Sequence, residues 1–96
     1  MELVLTDPKK YTVVFLPSFR RDLHSLTADE FKAVLKAINL LEQDPSHPSL
    51  VTKKLQGDSE CYESRANKSI RLIWEFDDDK IILTIEVGHH DILKKY

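Results

Sequence analysis

Arg65, Arg71, His89, His90 and Tyr96 crowd the last third of this sequence. A guanidinium offers a planar fork that can hold two phosphate oxygens at once. An imidazole titrates near neutrality, so it can give or take a proton at physiological pH. Lys53-Lys54, just ahead of a turn at Gly57-Asp58, would add two cations to the same surface. Such a set can handle an RNA backbone. His89 and His90 are adjacent, so on a continuing strand they point to opposite sides and do not form a metal pair. His24 and His47 are distant in sequence. No metal site and no cofactor is expected.

Each residue also has a plainer reading. Arg65 could pair across strands with Glu63 or Glu75, and Arg71 with Glu75 or Glu86. Lys53 and Lys54 could be an ordinary solvated pair, and the two histidines a surface turn. Asp77-Asp78-Asp79 reads as a solvated turn, since a run of carboxylates without partners makes no metal site. Trp74 and Phe76 share parity with core positions and read as packing. Cys61 has no base beside it in sequence and reads as a buried thiol on a strand.

A chain of 96 residues supports one core, so residues 1–96 form a single domain. Apolar residues at 42% and charged residues at 31% fit a soluble globular protein. No apolar run approaches the roughly 20 residues of a membrane span. Residues 1–10 lack the apolar stretch of a secretory signal, and a lone cysteine forms no internal disulfide. The expected compartment is the reducing cytoplasm. A formal net charge of −2 excludes a uniformly basic surface of the kind nucleic-acid-binding domains usually carry. It leaves room for a local one, because Lys53, Lys54, Arg65, Lys68 and Arg71 fall close together, away from Asp77–Asp79.

The elements that must position these groups follow from periodicity. Tyr11–Leu16 is rich in β-branched and aromatic residues and ends at Pro17, which predicts the first strand. Ser18 is placed to cap a short helix carrying Phe19, Leu23 and Leu26. Thr27-Ala-Asp-Glu30 is a capping-box pattern, and Phe31, Val34, Leu35, Ile38 and Leu41 then form a core-facing stripe up to Asp44-Pro45. After a loop at Ser46–Val51 comes a short extended piece at Lys53–Leu55. Cys61–Ala66, Ile70–Phe76 and Lys80–Val87 read as strands with turns at Asn67-Lys68 and Asp78-Asp79. The fold class is α+β: a helical hairpin on one face of an antiparallel sheet, in the order β-α-α-β-β-β. Ile38, Leu41, Leu72, Trp74 and Leu83 are expected in the core.

Taken in order, these segments resemble the RelE/ParE superfamily of small bacterial toxins, the RelE-like branch in particular. The resemblance runs through Phe19-Arg-Arg-Asp-Leu23, Asp44-Pro45, Lys53-Lys54-Leu55-x-Gly57, Tyr62-Glu63-Ser64-Arg65, Ile70-Arg71-Leu72-Ile73-Trp74 and Val87-Gly88-His89-His90-Asp91. It implies a toxin of a type II toxin–antitoxin system, cleaving mRNA on the ribosome without a metal, in the cytoplasm. It also implies a cognate antitoxin in a hetero-oligomer, with no membrane partner. Carried over from the branch, Lys53 and Lys54 bind RNA phosphate, and Arg65, His89 or His90, and Tyr96 are catalytic; Arg71, in the middle strand, stands beside the lysines as a further phosphate-binding candidate. Two other outcomes stay open: a ParE-like, non-enzymatic inhibitor of DNA gyrase, and a degenerate toxin that only binds its antitoxin.

Overall fold

The computed structural model describes residues 10–57, 60–89 and 92. The first strand, β1 (Thr12–Phe15), gives way at once to α1 (Pro17–Leu23) and then to α2 (Ala28–Gln43). A single 3₁₀ turn (Pro48–Leu50) leads to the two-residue β2 (Lys53–Lys54). Then come β3 (Tyr62–Arg65), β4 (Ile70–Asp78) and β5 (Ile81–His89). The predicted order holds, with β2 as an additional edge strand. β4 and β5 run past their predicted ends to Asp78 and His89.

The sheet order is β1-β5-β4-β3-β2. β2, β3, β4 and β5 are antiparallel in succession, whereas β1 lies parallel to β5, from Thr12 opposite Ile81 to Phe15 opposite Thr84. The sheet is therefore mixed, where an antiparallel one was predicted. The cause is the helical excursion: α1 and α2 carry the chain away, and β1 is left to pair with the last strand instead of its successor.

Local chemistry fixes the helices. Pro17 occupies the first turn of α1, where a missing N–H costs nothing. Ser18 does not cap that helix, as the sequence suggested; its hydroxyl donates to the Ile85 carbonyl. Asp22, one turn on, accepts from the Val87 amide at 3.2 Å. These two side chains satisfy the stretch of β5 that β1 is too short to cover, and so seat α1 on the sheet. The α2 capping box forms as predicted: Glu30 N–H donates to Thr27 Oγ1 at 3.2 Å and Thr27 N–H to Glu30 Oε1 at 2.8 Å.

The core lies between the helices and one face of the sheet. Phe19, Val34, Ile38, Leu41, Leu72, Trp74, Ile82 and Val87 are all buried there. Trp74 donates its indole N–H to Ser64 Oγ at 2.9 Å, which satisfies the one polar atom it brings inside. Four of the five expected core residues are buried; Leu83 is only partly so. The pairing skips Ile85, with Trp74 opposite Thr84 but Ile73 opposite Glu86, so Ile85 is a bulge. The extra residue reverses the alternation, and Ile82, Thr84 and Val87 are the residues turned to the core. Phe31 and Leu35, expected to face the core from α2, remain 39% and 44% exposed. The stripe is displaced from the predicted one because α2 buries Val34, Ala37, Ile38 and Leu41, with Leu40 packed partly against them.

Candidate functional site

The face of the sheet turned away from the helices collects the charged residues of the middle strands. Arg65 of β3 stands directly opposite Arg71 of β4, and Arg71 opposite Gly88 of β5. One pleat along, Lys53 of β2 is opposite Glu63 of β3. Residues paired in register, or two apart on a strand, share a face. Lys53, Glu63, Arg65 and Arg71 therefore form one cluster.

Within it the cations differ in freedom. Arg71 is 7% exposed. Its Nη1 donates back to the β3–β4 turn, to the carbonyls of Asn67 and Lys68 at 3.0 Å each and of Ile70 at 3.3 Å. The turn is tightened from within as Asn67 Oδ1 accepts from the amides of Ser69 and Ile70, both at 2.8 Å. Burial pushes the Arg71 guanidinium below its ordinary pKa, the Arg65 cation pushes the same way, and the Glu63 carboxylate opposes both. Arg65 is half-buried, and its Nε is buried without an acceptor.

Glu63 is 7% exposed, and its Oε1 lies 4.0 Å from Lys53 Nζ, which is itself largely in solvent. Its Oε2 is buried with no donor. Gly88 meets this face from β5: a Cβ there would come 2.9 Å from Ile92 Cγ2, so only glycine admits Ile92 at this distance.

The remaining candidates fall elsewhere. Lys54 pairs in register with Tyr62 on the helix-bearing face and sits 3.9 Å from exposed Glu60. His89 is opposite Ile70, also on the helix-bearing face, with Nε2 3.4 Å from Glu30 Oε2 at the start of α2. His90 and Tyr96 lie outside the described residues. The structure thus brings Lys53, Arg65 and Arg71 together and separates Lys54 and His89 from them. The sequence marks Glu63 only as a partner for Arg65, whereas the structure buries it within the cluster. The signal available was parity: Glu63 and Arg65 alternate on β3, with an uncharged residue between them. Among the described residues, no three His, Cys, Asp or Glu side chains could hold a metal ion.

Comparison with solved structures matches this fold to toxins. A chain of the RelBE2 toxin–antitoxin complex from Mycobacterium tuberculosis is 30% identical, with a TM-score of 0.72, over 84% of this chain and 99% of that one. A chain of the archaeal RelE–RelB complex from Pyrococcus horikoshii is 23% identical, with a TM-score of 0.70, over 83% and 94%. The YoeB/ParE toxin from Agrobacterium tumefaciens superposes with a TM-score of 0.71 at 15% identity, over 82% and 98%. No family profile and no curated protein sequence matches. On the identity and coverage of the mycobacterial chain, this protein belongs to the RelE-like toxin superfamily.

Proposed function

We propose that this chain is the toxin of a type II toxin–antitoxin pair and acts as a ribosome-dependent mRNA endonuclease. The observation that carries the reading is the in-register pair Arg65–Arg71, with Lys53 on the same face of the sheet. Cleavage of RNA through its own 2′-hydroxyl needs cationic donors on the crowded phosphorane, a proton acceptor for the hydroxyl and a proton donor for the departing 5′-oxygen. Arg65 supplies the phosphate fork, Lys53 a second charge, and Arg71 the buried base on which the turn is built. His89 is engaged with Glu30 on the other face. We assign proton transfer to His90, the other of the two candidate histidines, and keep Tyr96 as a contributor. In a chain of net charge −2, Lys53, Arg65 and Arg71 share one face of the sheet with Glu63, Glu75 and Glu86.

The partner reading is support of a different kind. Phe31 and Leu35 lie one turn apart on α2 and remain exposed, an apolar strip suited to a protein partner. We assign it to the antitoxin. The test of the activity is single-turnover cleavage of A-site mRNA on programmed ribosomes. Cleavage by wild-type protein is expected. Its absence across the pH range would leave a binding protein, directed at gyrase or only at the antitoxin.

A further inference from the structure

The carboxylate of Glu63 is the least expected group on the charged face. A buried carboxylate is costly unless it is paired and hydrogen-bonded. Among the described residues, one oxygen has a single, long ion pair to Lys53 and the other has no donor. On the same face of the same strand, the Arg65 Nε–H is buried without an acceptor. One orphan acceptor and one orphan donor of opposite charge thus lie two residues apart on one face of β3, with a second guanidinium in register with the first.

We propose that Glu63 is a positioning residue for Arg65, taking the Nε–H when an anion is bound and so presenting the Nη1–Nη2 edge of Arg65 to a phosphate. The proposal rests on the nuclease reading only for what the phosphate belongs to. The geometry asks for three things at once. Arg65 must be held beside Arg71 against mutual repulsion, which needs an anion between or behind them. That anion must not compete with the phosphate, which a carboxylate withdrawn to 7% exposure achieves. The fork must remain free for bidentate contact, so the anchor has to use Nε. Glu63 meets all three. Lys53, tethered loosely by the other oxygen, is kept on the same face and can move onto the substrate.

The test uses the whole protein and Glu63→Gln, which keeps volume and removes charge. Single-turnover cleavage at saturating ribosome–mRNA complex should slow by about 10²-fold, the loss typical of a misplaced reacting group. Affinity for a 2′-methoxy, uncleavable mRNA on the same ribosomes should hold or improve, because a negative charge next to the cations is gone. A purely structural role would weaken both together. In parallel, the Arg65 Nε–Hε resonance of wild-type protein should move downfield when inorganic phosphate or a short uncleavable RNA is added, and should not move in Glu63→Gln. Should Glu63→Gln fail to fold, Glu63→Asp, which keeps the charge but shortens the reach to Nε, should slow cleavage and lose the resonance shift with affinity unchanged.

An Nε–Hε signal that responds identically in wild type and variant overturns the proposal, as does a variant that cleaves at the wild-type rate. Wild-type protein that cleaves nothing refutes the nuclease reading instead, and the resonance experiment with phosphate still decides the role of Glu63.

Discussion

Arg65 and Arg71 face one another across β3 and β4, yet one is committed to the fold and the other is not. Arg71 is buried, with its Nη1 on the carbonyls of Asn67, Lys68 and Ile70; Arg65 is half-exposed and keeps an unused Nε.

That division predicts opposite phenotypes. Arg71→Ala leaves turn carbonyls without a donor and should cost about 2–4 kcal/mol of stability, read from urea midpoints. Arg65→Ala should unfold at nearly the wild-type midpoint and lose about 10²-fold in single-turnover cleavage, the usual consequence of removing one preorganised donor.

The two histidines should separate in the same assay. His89→Ala removes an exposed contact with Glu30 and should change stability by less than about 1 kcal/mol, with cleavage within about threefold of wild type. His90→Ala should remove one limb of the pH–rate profile. A lost limb in His89→Ala, with His90→Ala unaffected, would reverse the assignment.

Leu35→Glu should leave the fold intact, because the side chain is already exposed, and should prevent recovery of a complex with the antitoxin on co-expression. A complex of unchanged stability, measured by titration, would move the antitoxin to another face.

Asp44 closes α2 with a hydrogen bond from the Ser46 hydroxyl and another from the Ser46 amide, and these hold its carboxyl below the ordinary carboxylate pKa. The unfolded chain binds that proton more readily, so the contribution is present above the unfolded pKa and is lost as pH falls through the folded one. As pH falls through and below the ordinary carboxylate range, the stability gap between wild type and Asp44→Asn should therefore close. A gap independent of pH would show that Asp44 acts only as a turn former.

Much of this architecture could be read from residue order. Thr27-Ala-Asp-Glu30 announces its own helix start, and the alternation of Ile70, Leu72 and Trp74 marks β4 and its core face, although Phe76, of the same parity, stays 41% exposed. Three features could not be read. A bulge adds one residue without altering composition, so Ile85 leaves no mark in the pattern and the parity of β5 is misjudged. The pairing of β1 depends on which edge is vacant once the other strands have formed, a property of the whole sheet. The burial of Arg71 depends on three carbonyls supplied by a turn, which outweigh what its charge alone would favour. The site suffers most, since His89 and Arg65 are both polar neighbours of strand ends and only the register assigns them to opposite faces.

The place of β5 between β1 and β4 has a temporal meaning. During synthesis, the opening strand at Thr12–Phe15 finds its partner only when Ile81–Thr84 has left the exit tunnel. Contacts of such sequence separation are the slow ones in folding. Neither the core nor the charged face can be completed by a shortened chain, so a ribosome that stops before β5 releases no working half. For a protein proposed to attack translation, β5 then serves as a timer: activity begins only after the stretch of message encoding Ile81–His89 has been read.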